Sequence, residues 1–108
     1  MPTVEDVRAY WNKHPLYAHE LAEPGSPAYF AEIDRIKKVD VEPYSLGYWE
    51  FEKFRGRKVL DVGCGPGWLT VQYAKAGADV TAVDLTPHAV ELAKKFLALE
   101  SLTATVRE

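Results

Sequence analysis

The spacing of apolar residues along the chain changes about halfway along it. In the first half, apolar and aromatic side chains recur at intervals of three to four residues, which predicts helices. The first helix is expected over residues 3–12, where Thr3 and Asp6 are spaced as a capping box. The second should start at Ser26, a good N-cap that is followed by proline. Thr86 and Pro87 repeat this pair at the start of a later helix. Residues 1–55 are therefore predicted to form a helical N-terminal segment, in which a third, short helix carries Leu46, Trp49 and Phe54.

Strands and helices alternate in the second half of the chain. β-branched runs predict strands at 58–62, 79–84 and 103–107, and helical spacing predicts helices between them. The helix over 67–76 is expected to turn Leu69, Tyr73 and Ala74 toward the sheet. Right-handed crossovers make such a βαβαβ unit a parallel sheet of order 3-2-1, with helices on both faces. The predicted fold class is thus a three-layer α/β unit over residues 56–108, preceded by the N-terminal helices and forming one compact domain with them.

Three alternate glycines follow the first predicted strand. Gly63, Gly65 and Gly67 let the backbone turn sharply and approach a ligand without an intervening Cβ. The loop leads into a helix, whose N-terminus presents unpaired N–H groups to an anion. The second strand ends in Asp84, about 20 residues further on, where a carboxylate can accept ribose hydroxyls. These features together predict a pocket for a nucleoside with a charged tail.

The glycine spacing argues against two common nucleotide motifs. The dinucleotide fingerprint needs a glycine three residues after Gly65, and Trp68 occupies that position. A bulky indole there would block the close approach of a pyrophosphate, whereas an amino-acid carboxylate needs less room. No Gly-Lys-Ser/Thr sequence follows the loop, so the phosphate-binding P-loop is absent as well.

The segment VLDVGCGPGWLTVQYAKAGADVTAVDLTPHAVELAKK resembles the first two motifs of class I S-adenosylmethionine (SAM)-dependent methyltransferases. The resemblance covers residues 57–107 and implies a Rossmann-like fold with SAM as cofactor. By this resemblance, Gly67 serves helix packing rather than ligand contact. The implied cofactor contacts are the backbone of Gly63, Cys64 and Gly65 at the methionine end, Asp61 at its amino group, Asp84 at the ribose hydroxyls and Leu85 beside the adenine.

The resemblance implies transfer of a methyl group from SAM to a small-molecule acceptor by direct displacement. The enzyme would act as an oligomer or as part of a longer chain, and no catalytic residue is assigned. A second hypothesis is a SAM-binding module, or a truncated remnant, without turnover. The remaining alternative is that the glycines form a structural turn or hold another nucleotide.

The aromatic residues of the N-terminal segment allow two interpretations. Tyr10, Trp11, His14 and Tyr17 resemble a lid that excludes water from the cofactor. Alternatively, Tyr10 and Trp11 are ordinary core residues of an amphipathic helix. A role for His14 as a base is the less favoured of its interpretations, behind a cap or surface position.

Composition and charge exclude several partners. A net charge of -3, without a lysine or arginine run, predicts that the chain does not bind nucleic acid. No apolar stretch approaches the length of a membrane span and no signal pattern opens the chain, so we expect no membrane partner and a cytoplasmic location. Cys64 is the single cysteine and cannot form an internal disulfide. No cluster of His, Cys and Asp has the spacing of a metal site.

The first predicted strand would lie at an open edge of the sheet if the chain ends at Glu108. Soluble proteins usually pair or cover such an apolar edge. We therefore expect self-association through this edge, or an exchange of elements between copies. The alternatives are that the N-terminal helices fold over the edge, or that the chain is one piece of a larger enzyme.

Overall fold

Helices come first along the chain, and strands alternate with helices after them. The structure is a computed structural model that describes residues 1–13, 22–40 and 49–108. The elements in chain order are α1 (Val4–Lys13), α2 (Pro27–Arg35), a π-helical segment (Ile36–Asp40), a 3₁₀ helix (Phe51–Phe54), β1 (Lys58–Val62), α3 (Trp68–Lys75), β2 (Asp79–Val83), α4 (Pro87–Leu99) and β3 (Thr105–Arg107).

The helices begin at the caps that the sequence predicts. At the start of α1, the Asp6 N–H donates to Thr3 Oγ1 at 3.1 Å and the Thr3 N–H donates to Asp6 Oδ2 at 2.8 Å, which completes the capping box. Ser26 Oγ accepts a hydrogen bond from the third residue of α2 at 3.2 Å. Thr86 Oγ1 does the same at the start of α4, also at 3.2 Å. Short polar side chains thus set the starts of α1, α2 and α4, because they satisfy N–H groups that the helix leaves unpaired.

The three strands form one parallel sheet in which β2 lies between β1 and β3. Lys58 pairs with Asp79 and Val62 with Val83, and the β2 to β3 register places Ala82 beside Val106. The predicted α/β class and the predicted strand order are therefore confirmed. The carboxyl ends of β1 and β2 meet at one edge of the sheet, where the glycine loop leaves β1.

The expected third layer is not present among the described residues. Both α3 and α4 lie on one face of the sheet, where Val80, Ala82 and Val106 are buried. On the other face, Leu60 and Val62 remain 64% and 73% exposed. The reason lies in the connections: two successive right-handed crossovers in the same direction place both helices on the same side of a parallel sheet.

The buried side of α3 also differs from the prediction. Leu69, Tyr73 and Ala74 are only partly buried, whereas the buried residues are Trp68, Thr70 and Val71. Helix α3 is packed on several sides at once, because α2, the 3₁₀ helix and α4 surround it as well as the sheet. Trp68 Nε1 donates to Asp34 Oδ1 of α2 at 2.9 Å, and the Trp68 ring meets Phe51 edge to face. A one-sided helical pattern does not describe such a helix.

The third predicted N-terminal helix corresponds in part to the 3₁₀ helix, which contains Phe54. Leu46, which this helix is also predicted to carry, lies outside the described residues. The division into segments 1–55 and 56–108 stays a prediction. The bond from Trp68 to Asp34 shows that the two segments pack against each other.

Gly67 is expected to be the glycine on which packing depends most. A Cβ at Gly67 would lie 2.9 Å from the Cβ and 3.0 Å from the Cα of Ala93 in α4, and the φ of Gly67 is +91°. Gly67→Ala should therefore destabilise the fold through left-handed strain of about 1–2 kcal/mol and through overpacking of about 1–3 kcal/mol. Urea unfolding measures the sum.

Gly56→Ala is the matched control for this measurement. Gly56 has a φ of +74°, and no described atom lies within 4 Å of its Cβ position. It should show the left-handed strain of about 1–2 kcal/mol alone. Equal losses of stability in the two variants would contradict the close contact between α3 and α4.

Candidate functional site

The glycine loop after β1 is held against the end of β2 by backbone hydrogen bonds. The N–H groups of Gly63 and Cys64 both donate to the carbonyl oxygen of Val83, at 2.9 and 3.0 Å. The Gly65 N–H donates to Asp84 Oδ2 at 3.0 Å. The two motifs that the sequence separates by about 20 residues are therefore in direct contact at the sheet edge.

Gly63 and Gly65 leave open space where a side chain would stand. Their φ angles are +70° and +53°, and no described atom lies within 4 Å of either Cβ position. Gly67 differs, because Ala93 of α4 lies in the space that a side chain at Gly67 would need. Gly67 thus serves packing, as the resemblance implies, whereas the backbone of Gly63 and Gly65 is open. The contact of Gly63 and Gly65 with a cofactor stays a prediction.

The Asp84 carboxylate already accepts three hydrogen bonds from the protein. Besides the bond from Gly65, its Oδ1 accepts from the Thr86 N–H at 3.0 Å and from Thr86 Oγ1 at 3.2 Å. A carboxylate offers about four acceptor positions, so these three donors leave room for about one more. Thr86 also lines the larger cavity, so it is a residue of this site that the sequence motifs do not include.

Asp61 lies on the helix-covered face of β1. Thr70 Oγ1 of α3 donates to Asp61 Oδ2 at 2.7 Å. Burial raises the pKa of the Asp61 carboxyl, and the negative charge of Asp84 adds to this effect, while the bond from Thr70 opposes it. Two carboxylates that repel each other on either side of the loop favour a positively charged ligand.

Cys64 is a buried residue of the loop rather than a nucleophile. Burial raises the pKa of its thiol to about 12, with contributions from the negative charges of Asp61 and Asp84. The thiolate is the reactive form of cysteine, and the thiol therefore stays protonated and inert near neutral pH. Cys64 can contact a ligand through its backbone, as the resemblance implies.

Two cavities share the loop residues Gly63, Gly65 and Pro66. The larger cavity has a volume of about 310 Å³ and the smaller one about 150 Å³. Further residues of the larger cavity are Val7, Trp11, Asp84, Leu85, Thr86, Ala89 and Leu92. Further residues of the smaller cavity are Ile33, Lys37, Asp61, Cys64, Trp68 and Leu69. The six predicted cofactor contacts are thus brought together, with Asp61 and Cys64 in one cavity and Asp84 and Leu85 in the other.

Helix α1 forms part of this site. Val7 and Trp11 line the larger cavity, and Arg8 Nε donates to the carbonyl oxygen of Leu85 at 2.9 Å. Tyr10 and Trp11 are exposed, so the interpretation of these two as core residues is wrong. The other lid candidates, His14 and Tyr17, lie outside the described residues. The spacing of Val7 and Trp11, one helical turn apart, is the signal by which sequence reasoning could have found Val7.

In the part of the chain that the structure describes, no three His, Cys, Asp or Glu side chains are grouped to hold a metal ion. No helix within the described ranges has the length and apolar character to cross a membrane.

The fold and the site together define a class of protein. A parallel α/β sheet with a glycine loop and an acidic residue at its carboxyl edge is typical of Rossmann-like domains that bind a nucleoside. Residues 59–108 match the family model described as a methyltransferase domain. This match confirms, over this segment, the resemblance stated from the sequence. The fold of the segment is that of class I, Rossmann-like methyltransferases.

Individual relatives agree with this assignment. The ubiquinone biosynthesis O-methyltransferase of Schizosaccharomyces pombe is 53% identical over 47 residues, which are 44% of this chain and 17% of that protein. An S-adenosylmethionine-dependent methyltransferase from Clostridium acetobutylicum superposes with a TM-score of 0.51 and 26% identity, over 71% of this chain and 34% of that one. A 16S rRNA methyltransferase from T. thermophilus, in complex with AdoMet and guanosine, superposes with a TM-score of 0.51 and 30% identity, over 74% of this chain and 19% of that one. The chain thus spans well under half the length of these relatives.

Asp61→Asn is expected to make the fold more stable at neutral pH. Because folding raises the pKa of Asp61 above its ordinary value of 3.8, its contribution to stability is fully present below that value and is lost as the pH rises through the folded-state pKa. Asparagine can still accept the Thr70 hydrogen bond and carries no charge. The stability of the variant relative to the natural chain should therefore rise with pH.

Urea unfolding between pH 4 and pH 7 measures this difference. Asp79→Asn, at the exposed start of β2, is the control and should show no such trend. A relative stability of Asp61→Asn that falls as the pH rises would contradict the burial of the Asp61 charge.

Proposed function

We propose that this protein binds SAM at the glycine loop and transfers its methyl group to a small-molecule acceptor. The observation that carries the proposal is the open backbone of Gly63 and Gly65 between the carboxylates of Asp61 and Asp84. The match of residues 59–108 to the methyltransferase domain supports it.

The chemistry of the site fits SAM. SAM carries a positive ammonium and a positive sulfonium, which suit a loop flanked by two carboxylates. The smaller cavity, with Asp61 and the Cys64 backbone, accommodates the amino-acid end. The larger cavity, with Asp84 and Leu85, accommodates the nucleoside, and its volume of about 310 Å³ lies in the range of small-molecule sites.

The chain's own residues act by positioning. When bound, SAM would supply an electrophilic methyl carbon on its sulfonium. Its carbon–sulfur bond would break with the electron pair left on sulfur, and a hydroxyl acceptor would release its proton to water. Asp61 and Asp84 would fix the two ends of the cofactor, and the loop between them would then orient the methyl group toward the acceptor. Holding two reactants in line can account for a large part of such a rate enhancement. The protonated Cys64 thiol does not compete as a methyl acceptor.

A hydroxyl is the acceptor that we propose first. The Schizosaccharomyces pombe relative is named an O-methyltransferase, and the net charge of -3 opposes a nucleic-acid acceptor. Turnover with a panel of hydroxyl, amine and thiol compounds tests the acceptor class. SAM binding without turnover on any member of the panel would favour the second hypothesis, a binding module. The cytoplasmic location stays a prediction.

Asp84→Ala should weaken the binding of SAM and of its demethylated product. Loss of a hydrogen bond to a charged acceptor costs about 1–3 kcal/mol, which corresponds to a roughly 5- to 150-fold higher dissociation constant. Isothermal titration calorimetry measures both ligands, and a titration with NAD tests the dinucleotide alternative. Because Asp84 also holds the loop, thermal unfolding must show that the variant is folded at the assay temperature.

Asp79→Ala is the matched control, since Asp79 lies at the opposite end of the same strand. It should leave both dissociation constants unchanged. Unchanged affinity in Asp84→Ala would remove Asp84 from the site. Absence of SAM binding by the natural chain would refute the proposed cofactor.

We further propose that the chain of 108 residues self-associates through β1. Among the described residues, β1 pairs with β2 alone, and Leu60 and Val62 are exposed beside the open edge. In an antiparallel pair of β1 strands centred on Leu60, Lys58 would oppose Val62 and Asp61 would oppose Val59 of the second copy. No like charges meet in this register, so the edge is compatible with a twofold interface.

Light scattering at micromolar concentration should therefore give the mass of a dimer. Val62→Lys should shift the mass toward the monomer, because an edge lysine opposes strand pairing. Leu99→Lys, which replaces an exposed leucine at the end of α4, is the control and should leave the dimer intact. A monomeric mass for the natural chain would contradict the proposal.

A further inference from the structure

Three apolar side chains around the larger cavity are only partly covered by the protein. Val7 and Trp11 of α1 and Leu85 after β2 all line it, and Trp11 and Leu85 are each 45% exposed. Asp84 and Thr86 add polar groups to the same cavity. A mostly apolar cavity with a few polar groups at one end is typical of a small-molecule site. The exposed surfaces of Trp11 and Leu85 are therefore available to a flat apolar ligand group.

The position of α1 at this cavity is set by a specific contact. Arg8, between Val7 and Trp11 in the helix, donates through Nε to the Leu85 carbonyl oxygen at 2.9 Å. The Arg8 guanidinium also pairs with Glu5 at 3.0 Å, which holds the side chain in place. The bond joins α1 to the segment that follows Asp84, so the fold itself places Trp11 beside the nucleoside end of the candidate site.

We propose that Trp11 binds the base of the nucleoside by stacking its indole ring on the purine. The inference rests on the proposed function, since the purine is that of SAM. The resemblance to methyltransferases implies that Leu85 lies beside the adenine. Trp11 lies 74 positions earlier in the chain and belongs to no motif of the glycine loop. An indole offers a large rigid π face, and such stacking contributes measurably to the binding of bases.

The affinity of the 108-residue protein for SAM and its demethylated product tests the proposal. Trp11→Ala should raise both dissociation constants roughly tenfold, the effect expected for loss of one stacked base. Trp11→Phe keeps an aromatic ring and should retain most of the affinity. Val4→Ala changes an exposed residue of the same helix that does not line the cavity, and it should leave the affinity unchanged. Circular dichroism checks that α1 stays helical in each variant.

Tryptophan fluorescence gives an independent readout. The chain has three tryptophans, and binding of the demethylated product should quench the emission of the natural chain and of Trp49→Phe. Most of the quench should be lost in Trp11→Phe, although this variant still binds. Trp68, which lines the smaller cavity, accounts for any remaining quench.

The outcomes separate the two proposals. If the natural chain binds no SAM, the proposed function fails. If SAM binds but Trp11→Ala binds equally well, or the full quench persists in Trp11→Phe, stacking on Trp11 is overturned while the cofactor stands. Stacking on Trp11 would also be overturned if Trp11→Phe weakened SAM binding as much as Trp11→Ala, or if Val4→Ala weakened it. Such a loss of affinity would come from a change in α1 rather than from loss of the indole ring.

Discussion

The carboxylate of Asp84 is the group on which the geometry of the site depends. One of its oxygens accepts the Gly65 N–H, and the other accepts the N–H and the hydroxyl of Thr86. Thr86 in turn caps α4. A single side chain at the end of β2 therefore joins the glycine loop after β1 to the start of the next helix. Such charge-assisted hydrogen bonds are stronger than neutral ones, so they fix the position of the loop relative to β2 and α4.

The Asp61 and Asp84 carboxylates place negative charge where the ionised form of Asp61 does not stabilise the fold. The pKa of Asp61 is raised because its carboxyl is buried and faces the charge of Asp84. A fold selected for stability alone has no use for two repelling carboxylates beside an open glycine backbone. A cationic ligand removes the repulsion, and this links the electrostatics of the site to the match with a methyltransferase domain.

One face of the sheet is covered by helices and the other is exposed. The face covered by α3 and α4 supplies the core and holds Asp61 against Thr70. The other face leaves Leu60 and Val62 exposed, beside a β1 edge that has no partner strand within the described residues. The site lies across the carboxyl ends of the strands, where α1 reaches over it from the N-terminal segment. Parts of the chain from both halves are thus needed to build the larger cavity.

Local signals in the sequence determined the strands, the helix starts at Thr3, Ser26 and Thr86, and the two site motifs, because caps, glycine turns and β-branched runs act over a few residues. Only the tertiary structure decided which sides of α3 are buried, why Gly67 differs from Gly63 and Gly65, and that Trp11 lines the larger cavity. These features depend on contacts between residues far apart in the chain, such as Gly67 with Ala93 and Arg8 with Leu85. Spacing along a sequence carries no information about the side from which a distant element approaches.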